Sequence, residues 1–138
     1  MSKITTATKE ALTEWRTALP YNSFTKHELV GSTYIEGKLT NDIDILLLVP
    51  NFLTIPWGAL YGWSFGGSGD HGDPRFQSLK KDIDGVVVNL LITNDEAFFD
   101  NWVKAAQVCA CLCNEDSVIE KLLRISIHDI IMGVWQND

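Results

Sequence analysis

A chain of 138 residues with 46% hydrophobic and 21% charged residues has room for one domain with a real core, and reads as neither disordered nor fibrous. Eleven Lys and Arg against eighteen Asp and Glu, a net charge of −7, exclude a broad nucleic-acid-binding surface, because counterion displacement needs clustered positive charge. No apolar run approaches the roughly 20 residues that span a bilayer, and Met1-Ser2-Lys3-Ile4-Thr5 lacks the apolar core of a secretory signal. One domain over residues 1–138, no membrane contact and a cytoplasmic location are therefore expected.

In chain order, Thr5 to Leu19 predicts an amphipathic helix whose apolar face is Ala11, Leu12, Trp15, Ala18 and Leu19, stopped by Pro20. His27-Glu28-Leu29-Val30 is a short extended stretch running into Gly31-Ser32, followed by a loop around Glu36-Gly37-Lys38. Asp42 to Val49 is a strand, apolar on both faces from Ile45 onward, as in a central strand covered on both sides. Asn51 to Leu60 reads as a short helix or a covering loop, and Tyr61 to Phe65 as strand-like. Gly66 to Pro74 is irregular; it contains His71 and is a candidate lid. Phe76 to Lys80 predicts a strand, Asp82-Ile83-Asp84-Gly85 a turn, and Val86 to Ile92 a second strong strand. Thr93-Asn94-Asp95-Glu96 caps a helix from about Asp95 to Cys113, and Asn114-Glu115-Asp116-Ser117 opens a last one to about Val134. Cys109 and Cys113 share a helical face from which Cys111 points away, so the three form no common metal site. The order of elements gives an α+β domain: a small mixed β-sheet with helices packed mainly on one face.

The chemistry concentrates in Gly31-Ser32, nine intervening residues, and Asp42-Ile43-Asp44. Two carboxylates at i and i+2 on a strand point the same way. Their repulsion calls for cations, and hard oxygen ligands suit magnesium, of which two ions about 4 Å apart can clamp a phosphoryl transfer. Gly31 lets backbone N–H groups approach a phosphate, and the Ser32 hydroxyl adds a donor. Lys80 and Lys81 are candidates for reaching the phosphates, with Lys80 assigned to the site.

Val30-Gly31-Ser32-Thr33-Tyr34 together with Asn41-Asp42-Ile43-Asp44-Ile45-Leu46 resembles the signature of the DNA polymerase β-like nucleotidyltransferase superfamily, in particular its minimal single-domain members. Phe76 to Lys80, Val88 to Thr93 and Phe98 to Trp102 resemble short nucleotidyltransferase-like proteins encoded by bacteriophages, which implies the host cytoplasm. The resemblance implies a minimal nucleotidyltransferase fold, Gly31 and Ser32 on the phosphates of an NTP, and Asp42 and Asp44 on a two-ion magnesium site. A third carboxylate, metal ligand and general base in that superfamily, falls here on Asn89, whose amide oxygen ligates a metal but accepts no proton near neutral pH. Asp84 has the opposite parity and reaches the site only through a bulge.

Two functions follow. One is transfer of an NMP from an NTP to a hydroxyl of an unknown acceptor: a small molecule, a protein or a nucleic-acid end. The other is a catalytically impaired binding module for a nucleotide or a protein partner, antitoxin-like or anti-defence.

Overall fold

A computed structural model describes residues 2–19, 24–39, 42–51, 55, 59–65 and 75–113, together with 128, 130 and 132. Helix α1 spans Lys3–Ala18. Ser2 opens it in an extended conformation, its hydroxyl accepting the Thr5 N–H at 3.2 Å. That cap places the start two residues before the expected Thr5. At the other end the Leu19 N–H reaches back to the Trp15 carbonyl at 2.8 Å. Ala7, Ala11, Leu12 and Trp15 form the buried stripe, with helical spacing.

Strand β1 (Lys26–Val30) runs directly into a short helix, α2 (Gly31–Glu36), which precedes the loop expected around Glu36-Gly37-Lys38 and was not itself expected. Thr33, Tyr34 and Ile35 have low helix propensity, so no local signal marks a helix there. Tertiary contact decides otherwise: Thr33 and Ile35 are buried, and Gly37 closes the helix in the left-handed region at φ 71°. Strand β2 is Ile43–Leu48, β3 is the pair Ser64–Phe65, β4 is Gln77–Ile83 and β5 is Val86–Thr93. Helix α3, Glu96–Cys113, completes the described elements.

The sheet is mixed, in the order β1-β2-β5-β4-β3. β2 and β5 are parallel, and every other neighbouring pair is antiparallel. β4 and β5 form a tight hairpin, with Ile83 opposite Val86 and both loop residues at positive φ (Asp84 52°, Gly85 85°). Asp-Gly is the dipeptide that such a two-residue turn favours. The Asp82 carboxylate accepts the Gly85 N–H at 2.8 Å.

Alternation along the strands divides the core in two. Ile43, Ile45 and Leu47 of β2 and Val86, Val88, Leu90 and Ile92 of β5 face α1. Leu46, Leu48 and Leu91 face the other way, onto Val30, Phe98, Phe99 and Ala106. The expected α+β class and small mixed sheet are present, and two of the three helices among the described residues, α2 and α3, share one face. The other face is closed by α1, so β2 is covered on both sides, as its continuous apolar run requires. Within the α3 layer Phe76, Phe98 and Trp102 pack ring to ring at centroid distances of 5.0 to 5.8 Å.

Asp95 caps α3 through a 3.1 Å bond from the Phe98 N–H, as its position in the sequence predicts. Asp95→Ala is expected to lower stability by about 1 kcal/mol, measured as a shift in urea midpoint at unchanged slope. On α3, Cys109 is buried and Cys111 exposed, both as free thiols. The strand expected at Tyr61 to Phe65 is confined to its last two residues. The candidate lid Gly66 to Pro74 lies outside the described residues, as does the last helix apart from His128, Ile130 and Met132. Among the described residues no helix is long and apolar enough to cross a membrane.

Candidate functional site

One row of residues crosses the whole sheet in register: Val30 on β1, Asp44 on β2, Asn89 on β5, Lys80 on β4 and Ser64 on β3. Paired residues on neighbouring strands share a face, so the row lies on the α2–α3 side. One row further along, the partners are Glu28, Leu46, Leu91 and Ser78, and there the apolar layer beneath α3 begins. The polar row is the point where this layer gives out. It brings Asp44, Asn89 and Lys80 together from three strands.

Asp42 immediately precedes β2 and joins the group through an ion pair, Lys80 Nζ to Asp42 Oδ2 at 3.6 Å. Its backbone is fixed by Thr33, whose hydroxyl donates to the Asp42 carbonyl at 2.6 Å. Thr33 had no assigned role in the sequence. Its position two residues after Gly31, on a helix facing the sheet, is the signal that identifies it once α2 is known.

Gly31 meets Asp44 directly. It sits at φ 76°, and a Cβ built on it would lie 2.1 Å from Asp44 Oδ2 and 2.9 Å from Cγ. No side chain fits there. The glycine at the β1–α2 junction and the second aspartate are thus one packed unit, not two independent features. Ser32 follows in the first turn of α2, half-buried, and Val30 supplies no side-chain hydrogen bond to that turn.

Asn89 is 6% exposed. Its amide Nδ2 donates to Asp44 Oδ1 at 3.2 Å, while its Oδ1 is buried with no hydrogen-bond partner. An orphaned buried amide oxygen costs roughly 1–3 kcal/mol, and a cation between it and the carboxylates would satisfy it. The donors present are all hard oxygens, which suits magnesium or manganese. The residues fit a divalent ion: Asp42 and Asp44 would hold it, with Asn89 Oδ1 as a neutral ligand once its amide is turned.

A third carboxylate among the described residues does not join them. Among the described residues no three His, Cys, Asp or Glu side chains gather as a metal site. Register between β4 and β5 is unbroken from Gln77–Ile92 to Ile83–Val86. No bulge turns Asp84 inward, and it sits exposed in the hairpin loop. Asp82 lies on the face of Lys80 but is engaged by the turn. Lys81, the second candidate for phosphate contact, points to the opposite face and pairs with Glu14 of α1. Two adjacent residues on a strand cannot both serve one site, and the register selects Lys80.

Charge in the site is internally compensated. Lys80 faces Asp42, and the Asn89 amide faces Asp44. The Lys80 side chain is 52% exposed and that of Asp42 34%, so the ion pair is worth only about 0.2–1 kcal/mol. Such a pair exchanges readily when a stronger anion or cation arrives. On the far side of β1, Lys26 bridges Asp100 and Glu96 of α3 at 3.2 and 3.4 Å. The hydrogen bond that Lys26 donates to the Asp100 carboxylate chiefly holds its ammonium above the ordinary lysine value.

No family model matches the chain, and no curated protein matches it. Among solved structures, conserved protein GrpB from Enterococcus faecalis shares the fold, with a TM-score of 0.58 at 15% identity, over 99% of this chain and 96% of that one. At that identity the likeness concerns architecture.

Proposed function

We propose that this protein binds a nucleoside triphosphate together with magnesium, in a minimal nucleotidyltransferase-type site at Gly31-Ser32 and Asp42-Asp44. The observation that carries it is the contact between Gly31 and the Asp44 carboxylate, which leaves no room for any side chain. A glycine forced by an acidic residue at the mouth of a central strand places backbone N–H groups beside a cation-seeking carboxylate. That is the combination a metal-bound phosphate needs. Magnesium, when bound, neutralises phosphate charge and orients the phosphoryl group. Asp42 and Asp44 hold the ion, Gly31 and Ser32 face the phosphates, and Lys80 is close enough to Asp42 to exchange it for a phosphate oxygen.

Transfer of an NMP to a hydroxyl of a small molecule, a protein or a nucleic-acid end is the second function, favoured by the presence of both carboxylates on one side of β2. Against it stands Asn89, which cannot take the proton of an incoming hydroxyl. Holding the nucleotide without turnover, for recognition by or of a protein partner, is what the residues support best. A cytoplasmic setting, where magnesium-bound NTPs are abundant, agrees with this proposal.

The test is calorimetry and thermal unfolding with each of the four NTPs, with magnesium and with chelator. A ligand at 100 times its Kd adds about 2.7 kcal/mol to stability, several degrees for a domain of 138 residues. Binding is expected with magnesium, and is expected to be lost with chelator and in Asp44→Ala. A melting temperature indifferent to every NTP removes the proposal. Labelled product formed on an acceptor from cell extract, absent in Asp42→Asn, establishes transfer instead.

A further inference from the structure

The carboxylates of this site already have cationic or N–H partners within the chain, and one of these partners, Lys80, is half-exposed. We propose that Lys80 is a displaceable counter-cation that keeps free divalent ions off Asp42 and releases it when a polyphosphate arrives, so that metal and phosphate enter together. This rests on the nucleotide-binding proposal above and adds to it the coupling between the two ligands.

Three observations support it. Lys80 Nζ lies 3.6 Å from Asp42 Oδ2, the position of a monovalent cation on that carboxylate. Its side chain is half-exposed, so the packing does not enclose it there. Asn89, nine-tenths buried, holds Asp44 through Nδ2 and keeps its own Oδ1 unpartnered. Turned over, the amide would offer that oxygen to a cation that Asp44 also binds.

The physical consequence is a linkage. A bare Mn²⁺ ion must displace or lie beside an ammonium group, and like charges repel. A polyphosphate reverses the balance, because Lys80 exchanges one carboxylate for several phosphate oxygens and leaves Asp42 to the metal. Removing the lysine charge therefore acts with opposite sign on the two ligands. It strengthens binding of the metal alone and weakens binding of the metal–phosphate complex.

Inorganic tripolyphosphate is a probe without a base or sugar, and Mn²⁺ alone is followed by the resonance of its free aquo ion. Wild type, Lys80→Met and Lys80→Gln are compared, with Lys81→Met as a control that removes the same charge from the opposite face. The expected result is Mn²⁺ affinity raised roughly two- to fivefold in both Lys80 variants, the equivalent of one weak ion pair. Affinity for the Mn²⁺–tripolyphosphate complex is expected to fall by a similar factor, and Lys81→Met to match wild type in both. Melting curves establish that each variant is folded.

Lys80 variants that bind Mn²⁺ no better than wild type overturn the inference, as does an equal gain in Lys81→Met, which makes the effect one of net charge. Loss of complex binding without any gain for free Mn²⁺ also overturns it, and reduces Lys80 to a phosphate ligand. If wild type binds neither probe, with or without the other, the nucleotide-binding proposal itself fails.

Discussion

Asn89→Asp is expected to make the folded protein dependent on divalent metal. Asn89 is 6% exposed and its Nδ2 lies 3.2 Å from Asp44 Oδ1. The substitution replaces an N–H donor with a carboxyl oxygen at the same distance from a carboxylate. Two charges so placed, the new one buried, cannot both ionise without a counter-ion. The introduced carboxyl is held above the ordinary aspartate value of about 3.9, by burial and by the neighbouring charge. Its folded pKa being raised, the folded state holds the proton longer than the unfolded chain does. Stability therefore falls as pH rises from that value through the raised one. At neutral pH the deficit is several kcal/mol, the scale of an uncompensated buried charge, and near pH 4 it fades. Millimolar Mg²⁺ or Mn²⁺ is expected to restore the lost stability, because three oxygens then surround one ion. If transfer lacks only a base, labelled product also appears in this variant. Urea unfolding across pH, with metal and with chelator, measures the first effect. A variant as stable as wild type in chelator, or one that metal does not rescue, contradicts the geometry assigned to Asn89.

Gly31→Ala is expected to damage both the fold and the site, and a second glycine separates the two causes. Gly31 and Gly37 flank α2 with nearly the same backbone, φ 76° and 71°. Alanine in the left-handed region costs roughly 1–2 kcal/mol at either position. At Gly37 no atom lies within 4 Å of the added Cβ, and the cost ends there. At Gly31 the Cβ falls 2.1 Å from Asp44 Oδ2, so the carboxylate must leave and give up its bond from Asn89. Gly31→Ala is thus expected to cost at least 1 kcal/mol more than Gly37→Ala, the scale of one buried hydrogen bond. It is also expected to lose magnesium-dependent binding that Gly37→Ala retains. Equal costs for the two variants would mean that Asp44 moves aside freely and that the glycine has no role in the site.

Much of the architecture is legible before folding, for identifiable reasons. The run Ile45 to Val49 has no polar face, and only a strand covered on both sides suits it. Asp84-Gly85 between apolar runs specifies a two-residue hairpin turn, and the carboxylate of Asp95 announces the start of α3. Helix α2 escapes because its residues favour extension. What holds it is burial of Thr33 and Ile35, together with the glycine at each end, and these are tertiary facts. Coverage of both faces was implied by the apolar β2 run more sharply than by the order of helices and strands.

In the site, Asp42, Asp44 and Gly31 are visible as spacing, but their contact depends on how α2 is set against β2. Placing Asn89 opposite Asp44 requires the register of a parallel pair 45 residues apart in sequence, which no local pattern encodes. Lys80 and Lys81 are equivalent as letters, and the pleat alone sends one to Asp42 and the other to Glu14. Charge compensation by Lys80 could not be anticipated for the same reason.

The central claim is that Asp42 and Asp44 bind metal and Gly31-Ser32 bind phosphate in one assembly. Diffraction from crystals grown with Mn²⁺ and an NTP, recorded for manganese anomalous signal, locates both ligands at once. The expected result is a manganese peak within ligand distance of Asp42 and Asp44, with the phosphates over Gly31-Ser32 and Lys80 turned from Asp42 to a phosphate oxygen. Nucleotide seated elsewhere, with Lys80 still on Asp42, Asn89 still donating to Asp44 and no manganese between them, would contradict it.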